Sequence, residues 1–373
     1  MTRSRRTVLF VLPSLAGGGA ERAILTLLRH LDRTRFEPHL ALVEAAGPYL
    51  KEVPADVPVH DLKSSRVRRA IPGIIRLAWS LRPQTAHSTL GELNLAMVLS
   101  RPFLPREMRL VLQEVICTSR QLAQVSRHSG KWQWLYRHLY PRADKIICVS
   151  DDVLNDLAEN FAIPRAKLVR VYYFVDVDRI WQLAALGENP YPDASPQVVA
   201  AGRLHKQKGF DLLLDALALV AKTLPSVRLT ILGEGPLEAE LKAQSEQLGL
   251  SSSVRFAGFQ SNPYPYFKHA DLFVLSSRYE GLPNVALEAL ALGKPVVASD
   301  CPGGVREVLE ACPLGHLVPP GDAPALAGAI TEVLQSRSES YRLEGVEAFL
   351  ERFRVERIVR EYEEVLSAPG TRQ

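Results

Sequence analysis

Short apolar runs alternate with amphipathic stretches along the first half of the chain. Residues 7–13 predict a buried strand, residues 21–31 an amphipathic helix, and residues 38–44 the next strand. Residues 109–115 and 144–150 continue the series of strand-like runs. Such alternation predicts a parallel sheet that is covered by helices.

The alternation stops near residue 176 and restarts near residue 196. Residues 185–196 concentrate Gly, Asn, Asp and three Pro, so we expect a linker at 176–196. Beyond it the alternation resumes. Strand-like runs lie at 196–202, 227–233, 254–258, 270–276 and 295–300, and helix-like runs lie at 210–224, 237–249 and 285–292. A second parallel sheet is therefore predicted.

Two arrays of this kind predict an α/β protein with two Rossmann-like, doubly wound domains facing a central cleft. We place the first domain at 1–182, the second at 183–345, and a C-terminal segment at 346–373. Within that segment, residues 346–366 predict one long amphipathic helix, and a disordered tail is expected at 367–373. Ligands of such sheets bind beyond the carboxyl ends of the strands, so we expect the chemistry in the loops that follow them.

Length and composition fit a globular protein of two domains. The chain has 373 residues, of which 47% are hydrophobic and 23% charged, and no apolar run of about eighteen residues predicts a membrane span. The basic and apolar N-terminus resembles a signal peptide, but Pro13 ends the apolar run early, which favours a buried strand. Four scattered cysteines form no CxxC pair and are expected to be free thiols in a reducing cytoplasm: Cys117, Cys148, Cys301 and Cys312.

Charge is distributed unevenly along the chain. Residues 1–182 hold 27 Lys and Arg against 17 Asp and Glu, whereas the remainder holds 18 against 24. The densest basic stretch lies between Lys63 and Arg82 and interleaves Trp79 with its cations. A solvated helix face and a contact with an anionic membrane surface or charged acceptor both fit this stretch. Nucleic acid is not expected, because no recognition motif accompanies the charge.

Three consecutive glycines, Gly17, Gly18 and Gly19, follow the first predicted strand and open a helix. Glycine lets backbone N–H groups approach a phosphate or sugar closely, and the helix dipole favours an anion there. The loop is not a P-loop, and Arg22 occupies the third glycine position of a dinucleotide fingerprint. A tight turn that needs positive φ is the structural alternative.

Two cations follow the first strand of the second domain. Arg203 and Lys208 lie just past that strand, and Gly209 lies at the opening of the next helix. Arg can bind phosphate oxygens in bidentate fashion and Lys supplies a point charge, so the pair suits a departing diphosphate. An exposed basic loop is the alternative.

The stretch RYEGLPNVALEAL places Glu280 in a loop and Glu288 inside the helix that follows. Backbone amides of residues 281–285, at the helix N-terminus, can bind an anion. Glu288 can accept hydrogen bonds from a vicinal diol such as ribose, and Glu280 would face the group that hangs from the phosphates. A solvated helix surface explains one glutamate better than it explains two.

Together these stretches resemble glycosyltransferase family four, which has the GT-B fold. That family carries a Gly-rich loop, a Gly-Arg…Lys-Gly segment and an E-x7-E motif, here the three glycines, residues 202–209, and Glu280 with Glu288. GGAER at 18–22 and CPGGVRE at 301–307 resemble the branch that adds hexoses or N-acetylhexosamines to lipid-linked or surface polysaccharide precursors. The likeness covers nearly the whole chain.

The resemblance implies roles for these residues. Arg203 and Lys208 would bind the donor diphosphate, and Glu288 would bind the ribose. Glu280 would contact the donor sugar and act in catalysis with the two cations. Further donor contacts would come from Gly17, Gly18, Gly19, Gly281, Leu282, Pro283, Asn284 and Val285. The resemblance also implies a final helix that crosses back to the first domain, and transfer with retention by front-face displacement or a short-lived ion pair.

The first domain departs from the family pattern. Many members carry a His near the reacting sugar, where residues 109–120 here contain none. Glu114 in that segment could orient an acceptor hydroxyl or sugar. His87, placed in the preceding strand-to-loop turn, could line the cleft or be a buried structural histidine.

No metal or cofactor is expected to be required. Asp176 and Asp178 match the Asp-x-Asp pattern of metal-dependent glycosyltransferases of another fold. In the family that this chain resembles, however, the segment corresponds to a hinge, where Tyr173 or Phe174 replaces the usual Asn. The nucleotide-diphosphate sugar would be the donor substrate.

The sequence therefore predicts a retaining hexosyl- or N-acetylhexosaminyltransferase. Its donor would be a nucleotide-diphosphate sugar, which we expect to be UDP-linked, and its acceptor would be a glycan or a lipid-linked glycan. It is expected in the cytoplasm, with peripheral contact to the inner face of the membrane as a hypothesis. The alternatives are another GT-B enzyme, such as a UDP-sugar epimerase or a phosphorylase, and a non-catalytic nucleotide-sugar-binding protein. The GGAER and EGLPN contexts argue against the first alternative, and the complete set of charged motif residues argues against the second.

Overall fold

A computed structural model describes residues 5–125, 129–336 and 345–368. Within these ranges the chain divides into two compact units. Unit 1 comprises Met1–Phe174 and Val355–Gln373, and unit 2 comprises Val175–Arg354. Each unit is built around its own parallel sheet.

The described part of unit 1 holds a seven-stranded sheet. Its strands are β1 (Arg6–Leu12), β2 (Phe36–Leu42), β3 (Val59–Asp61), β4 (Thr85–Thr89), β5 (Arg109–Glu114), β6 (Lys145–Cys148) and β7 (Leu168–Arg170). They pair in parallel in the order β3-β2-β1-β4-β5-β6-β7. The central strands are buried along most of their length because helices cover both faces of a parallel sheet.

Helices connect these strands. They are α1 (Gly19–His30), α2 (Val67–Leu81), α3 (Gly91–Ser100), α4 (Thr118–Val125), α5 (Ser129–Leu139) and α6 (Asp151–Asn160). The side chain of Ser150 caps α6 by accepting a hydrogen bond from the Val153 N–H at 3.2 Å. The sequence DDVLNDLAENF at 151–161 predicts a helix that begins at an aspartate cap. That prediction is wrong in its cap, because the serine one residue earlier supplies the acceptor.

Unit 2 repeats the plan with a six-stranded sheet in its described residues. Its strands are β8 (Gln197–Ala201), β9 (Arg228–Leu232), β10 (Val254–Phe256), β11 (Leu272–Leu275), β12 (Val296–Ser299) and β13 (Gly315–Val318). They pair in parallel in the order β10-β9-β8-β11-β12-β13. The two predicted parallel sheets are confirmed.

The helices of unit 2 include the three that the sequence predicted. They are α7 (Val177–Ala185), α8 (Phe210–Thr223), α9 (Glu238–Gln247), α10 (Tyr264–His269), α11 (Asn284–Ala291), α12 (Val305–Leu309), α13 (Ala323–Gln335) and α14 (Val346–Leu350). The buried faces of α8 and α13 pack together over the sheet and form the main apolar core of this unit.

The start of the predicted linker is helical. Asp176 caps α7 by accepting a hydrogen bond from the Arg179 N–H at 3.0 Å, and α7 packs on α10 and α11. The Val175 N–H donates to the Phe353 carbonyl at 2.7 Å. The chain accordingly changes units at 174/175 and 354/355, whereas the sequence placed the changes at 182/183 and 345/346.

The long final helix predicted at 346–366 is interrupted. A 3-10 turn (Glu351–Phe353) follows α14, and Arg354 is extended, with φ −59° and ψ 142°. Arg354 pairs with Val175 as an isolated parallel bridge, and α15 (Val355–Ser367) begins directly afterwards. The tail beyond residue 368 lies outside the described residues.

The helix α15 belongs to unit 1, as predicted for the helix that returns to the first domain. Its Glu363 carboxylate accepts hydrogen bonds from the Asp32 N–H at 2.9 Å and from Arg35 at 2.7 Å. In the ranges that the structure describes, no helix is long and apolar enough to cross a membrane. All four cysteines are buried, and none of them forms a disulfide within the described residues.

Each sheet has one point at which its strand order reverses. In unit 1 it lies between β1 and β4, and in unit 2 between β8 and β11. Loops that leave two such neighbouring strands diverge at the carboxyl edge, where ligands of doubly wound sheets bind.

Candidate active site

The charged motif residues of unit 2 meet at its switch point. Arg203 and Lys208 lie in the loop between β8 and α8, and Glu280 lies in the loop between β11 and α11. β8 and β11 are adjacent parallel strands, so both loops leave the same edge of the sheet. The structure thus brings together residues that are 72 positions apart in the sequence.

A buried ion pair joins the two loops. Lys208 Nζ donates to Glu280 Oε1 at 2.6 Å, with 17% and 7% of the two side chains exposed. The hydroxyl of Ser277 donates to the same oxygen, also at 2.6 Å. A buried carboxylate of this kind needs charged and hydrogen-bonded partners to offset its desolvation, and it has both.

Further hydrogen bonds hold the two loops in register. Arg278 forms a bidentate pair with Asp211 at 2.7 and 2.6 Å and donates to the Lys206 carbonyl at 3.0 Å. Gln207 Nε2 donates to the Tyr279 carbonyl at 3.1 Å. The pKa of Arg278 is raised by its hydrogen bonds to Asp211. The position of Lys208 relative to Glu280 is therefore set by several contacts besides their own.

Glycine is required where these loops touch. Gly209 has a φ of +62°, and a Cβ there would lie 2.1 Å from the Ser276 carbonyl oxygen. Gly303 has a φ of +123°, and a Cβ there would lie 2.4 Å from the carbonyl oxygen of Glu280. Both conditions exclude larger residues. The CPGG turn after β12 therefore closes against the back of Glu280.

The helix α11 presents its N-terminus beside Glu280. Its N-cap is Pro283, and no side chain caps the helix. The Asn284 and Ala286 N–H groups each donate to a backbone carbonyl at 2.9 Å, so an anion here would be attracted mainly by the positive end of the helix dipole. Asn284 opens the helix, and its Oδ1 is buried without a hydrogen-bond partner among the described residues. Glu288 lies on the same helix and is only 7% exposed.

Arg203 differs from Lys208 in its surroundings. Its side chain is exposed, and it stands near Tyr279. Burial raises the pKa of that tyrosine, with a contribution from Glu280, and the positive charge of Arg203 acts in the opposite direction. Arg203 is thus a cation at the rim of the site, whereas Lys208 is a cation inside it.

The three glycines of unit 1 follow β1, as predicted. Gly17 has a φ of +107°, and Gly18 is the extended N-cap of α1. The side chain of Arg22 donates to the Tyr49 hydroxyl at 2.7 Å and thereby joins α1 to the segment that follows β2. Part of the loop therefore fits the structural alternative, a turn with positive φ, and its contact with a donor stays a prediction.

Glu114 is the centre of a buried hydrogen-bond network at the end of β5. Asn94 Nδ2 donates to its Oε1 at 2.7 Å, the Tyr140 hydroxyl donates to the same oxygen, and Thr118 donates to its Oε2 at 3.4 Å. Burial raises the pKa of Glu114 to about 7, although these hydrogen bonds act to lower it. Glu114 is 1% exposed. Its contact with an acceptor stays a prediction.

His87 lies in the middle of β4 and not in a turn, which corrects its predicted place. It is 1% exposed and packs against Phe10 and Tyr362. Burial lowers its pKa to about 4, so the ring is neutral at neutral pH. Its Nε2 has no hydrogen-bond partner among the described residues. This environment is that of the structural histidine named as the alternative.

Two family models match the chain. The model for Glycosyltransferase Family 4 matches residues 17–179, and the model for glycosyl transferases group 1 matches residues 186–344. A similar curated protein is the N-acetylgalactosamine-N,N'-diacetylbacillosaminyl-diphospho-undecaprenol 4-alpha-N-acetylgalactosaminyltransferase of Campylobacter jejuni. It is 33% identical over 316 residues, which cover 82% of this chain and 84% of that protein.

The chain belongs to glycosyltransferase family 4.

A second curated relative agrees with this assignment, and two solved structures show the same fold. The amylovoran biosynthesis glycosyltransferase AmsD of Erwinia amylovora is 27% identical over 79% of this chain and 80% of its own. The structure of HepE from Anabaena in complex with UDP-glucose matches with a TM-score of 0.82 at 21% identity, over 97% of this chain and 100% of that one. The sucrose-phosphate synthase of Thermosynechococcus elongatus matches with a TM-score of 0.80 at 19% identity, over 97% and 98%. The predicted GT-B fold is confirmed.

Sequence reasoning missed several side chains that shape the site of this glycosyltransferase. They are Ser277, Arg278, Asp211 and Gln207. A serine three positions before a glutamate carries no chemical signal until the loop conformation is known. The Arg278–Asp211 pair, at a separation of 67 residues, becomes visible only when the two loops are placed side by side.

Proposed function

We propose that this chain is a retaining glycosyltransferase that moves a hexose or N-acetylhexosamine from a UDP-linked donor to a glycan or lipid-linked acceptor. The product would serve the synthesis of cell-surface polysaccharide or glycoconjugates. The observation that carries the proposal is the buried Lys208–Glu280 pair at the switch point of unit 2, beside the uncapped N-terminus of α11.

The cations of this site suit a diphosphate. Lys208 can exchange its hydrogen bond to Glu280 for a phosphate oxygen, and Arg203 can bind a second oxygen from the rim. The first amides of α11 add partial positive charge. These groups would stabilise the charge that develops on UDP as it leaves.

The two glutamates suit the sugars at the two ends of the donor. Glu280, released from Lys208, can accept hydrogen bonds from hydroxyls of the transferred sugar. Glu288 lies about one turn into α11 and would accept hydrogen bonds from the ribose. The backbone of residues 281–285 lies between them.

The relatives support the choice of substrates. The Campylobacter jejuni relative is named for the transfer of N-acetylgalactosamine to a sugar on diphospho-undecaprenol, and HepE is solved with UDP and with UDP-glucose. The first description supports a lipid-linked acceptor for this chain, and the second supports a nucleotide-sugar donor.

The reaction would break the bond between the anomeric carbon and the β-phosphate oxygen. The acceptor hydroxyl would form its bond on the same face, by front-face displacement or through a short-lived ion pair, and its proton would pass to the leaving diphosphate. The protein would lower the barrier chiefly by positioning and by stabilising the leaving group. Arg203 and Lys208 supply that charge, so we propose that no metal is required; dialysis against EDTA should leave turnover unchanged.

Turnover of purified variants tests the proposal. UDP release would be measured with UDP-hexoses and UDP-N-acetylhexosamines, using an isoprenoid-diphosphate-linked sugar as acceptor. Glu280→Gln, Lys208→Ala and Arg203→Ala are expected to lower kcat/KM by roughly 100-fold or more, since each removes a charged group from the transition state. Lys222→Ala, an exposed lysine of α8, is the matched control and should behave as wild type.

Other outcomes would point to the alternatives. Wild-type turnover in any two of the three site variants would overturn the proposal. Interconversion of the UDP-sugar without an acceptor would indicate an epimerase. Tight donor binding without turnover on any acceptor would indicate a binding protein. The anomeric configuration of the product, read by NMR, tests retention.

We also propose that α2 contacts an anionic membrane surface. Arg68, Arg69 and Arg76 are exposed along this helix, and Trp79 near its end is 47% exposed. The indole N–H of Trp79 already donates to the Phe103 carbonyl at 2.8 Å, so the ring can enter an apolar interface without leaving a donor unsatisfied. Cations with an exposed tryptophan are typical of helices that lie on membranes.

Vesicle co-sedimentation tests this contact. The protein should sediment with phosphatidylcholine vesicles that contain phosphatidylglycerol and not with phosphatidylcholine alone, and salt should weaken the binding. Arg68→Glu with Arg76→Glu should abolish it. The control, Arg120→Glu with Arg165→Glu, makes the same charge change elsewhere on unit 1 and should retain it. Equal binding of the two double variants would contradict the proposal.

A further inference from the structure

The two donors to Glu280 Oε1 have different environments. Lys208 reaches the oxygen from the loop after β8, and 17% of its side chain is exposed. Ser277 reaches it from three positions before Glu280 in the same loop and is 1% exposed. One donor can therefore be captured by a ligand, whereas the other is enclosed by protein.

The backbone of Glu280 is held independently of these donors. Its N–H donates to the Pro302 carbonyl at 2.9 Å, and Gly303 packs against its Cα and carbonyl. With the backbone fixed, the direction of the carboxylate depends on its side-chain torsions. Among the described residues, Lys208 and Ser277 are its side-chain hydrogen-bond partners, and both bind Oε1.

We infer that Ser277 is a positioning residue, which holds Oε1 of Glu280 and thereby turns Oε2 toward the donor sugar. The inference rests on the proposed function of the site and deepens it. Ser277 touches neither substrate nor reacting atoms and acts only through Glu280.

Binding of the nucleotide sugar makes this role of Ser277 necessary. A diphosphate carries more charge than a carboxylate and competes with Glu280 for the ammonium group of Lys208. Once Lys208 has moved to phosphate, Glu280 keeps only the hydrogen bond from Ser277. The enclosed hydroxyl of Ser277 is out of reach of the phosphates, so its hydrogen bond to Glu280 persists throughout the reaction.

Loss of the serine hydroxyl should affect the chemical step more than binding. Without it, the carboxylate can rotate after Lys208 has left, and a misplacement of about 1 Å can cost up to about 100-fold in rate. The affinity for UDP should not change, because the diphosphate contacts of Lys208 and Arg203 remain. A merely structural serine would instead lower stability and leave the kinetic constants of the folded fraction unchanged.

The experiment compares Ser277→Ala with Ser245→Ala, Glu280→Gln and wild type. Ser245 on α9 is a buried serine, 4% exposed, away from the site loops, and serves as the matched control. We expect Ser277→Ala to lower kcat by about 10- to 100-fold while KM for the UDP-sugar stays within about twofold. Ser245→Ala should retain both constants. Melting temperatures confirm that all variants are folded.

A double-mutant cycle separates action through Glu280 from any other action. In the Glu280→Gln background, Ser277→Ala should change the residual rate by less than about twofold, because the group that it positions is no longer a carboxylate. A loss of 10-fold or more in that background would overturn the inference, as would wild-type kcat for Ser277→Ala. Wild-type turnover of Glu280→Gln would instead overturn the proposed function of the site itself.

Discussion

At the scale of single residues, Glu114 is a buried carboxyl group that holds several elements of unit 1 together. Its neighbours Asn94, Tyr140 and Thr118 all donate to it, and each belongs to a different part of unit 1. The carboxyl group therefore links α3, α4 and the segment after α5 to the end of β5. Burial makes the charged form unfavourable, which raises its pKa from the ordinary value of 4.5 to about 7.

This shift predicts a pH dependence of stability. Because the folded-state pKa is raised, the contribution of Glu114 is fully present below about pH 4.5 and is lost as pH rises through about 7. Glu114→Gln cannot ionise, so the variant should gain stability relative to wild type on going from pH 5 to pH 8. The gain in the free energy of unfolding is on the order of 1.4 kcal/mol for each unit by which the folded-state pKa of Glu114 exceeds its unfolded-state pKa.

Urea unfolding of both proteins at pH 5 and pH 8 measures this difference. Burial depresses the pKa of His87 to about 4, so stability from that group rises with pH over a similar range. Its contribution is common to both proteins and cancels in the comparison. An equal pH dependence of the free energy of unfolding in wild type and Glu114→Gln would contradict the prediction.

Residue types and positions predicted much of the candidate site. Arg203, Lys208 and Glu280 were found because each follows a strand with a strong apolar signal, and adjacent strands bring them together. The ion pair between Lys208 and Glu280 was not predicted, since both were assigned to a ligand. Ser277 was missed because its role depends on the loop conformation and not on residue type.

At the scale of elements, the CPGG turn after β12 controls the loop that carries Glu280. Gly303→Ala places a methyl group against the Glu280 backbone at an unfavourable φ. We expect a strong loss of kcat, of about 10-fold or more, since the carboxylate would be displaced. Steady-state kinetics of the folded variant provides the measurement.

Gly328→Ala is the matched control for this substitution. Gly328 lies in α13, is exposed, and has nothing within 4 Å of an added Cβ. Alanine is favoured over glycine in a helix, so the variant should be more stable by up to about 1 kcal/mol and fully active. Equal activity of the Gly303 and Gly328 variants would show that the turn does not position Glu280.

Elements with one dominant pattern were predicted and those with mixed signals were not. The apolar strands β1, β5 and β8 stood out, whereas β4 was missed because Thr85–Thr89 is mainly polar and yet fully buried. The final helix was predicted as continuous because its amphipathic pattern runs on through Arg354. The break comes from the long-range bridge between Arg354 and Val175, which no local pattern reports.

At the scale of the whole molecule, unit 1 is made of two separate stretches of chain. The helix α15 contributes buried Ile358, Tyr362 and Leu366 to it. The return of this helix was predicted from the family resemblance and not from composition, because its charged sequence also fits an isolated surface helix. The helix α15 is therefore part of the core of unit 1, whereas α14 belongs to unit 2.

This arrangement predicts a selective loss of stability. Leu366 is fully buried, so Leu366→Ala should lower the free energy of unfolding of unit 1 by about 2–5 kcal/mol. Hydrogen exchange should then show less protection in β1 and β4 while β8 and β11 keep theirs. The exposed neighbour Glu364→Ala serves as control. Loss of protection in unit 2 instead would contradict the assignment of α15 to unit 1.

The most direct test of the central claim is the affinity for UDP, measured by isothermal titration calorimetry. Lys208→Ala should bind UDP about 10- to 100-fold more weakly than wild type, as expected for loss of a charged hydrogen bond to phosphate. Glu280→Gln should bind UDP at least as tightly as wild type, because it frees Lys208 without touching the nucleotide. Unchanged UDP affinity in Lys208→Ala, or clearly weaker binding in Glu280→Gln, would contradict the account.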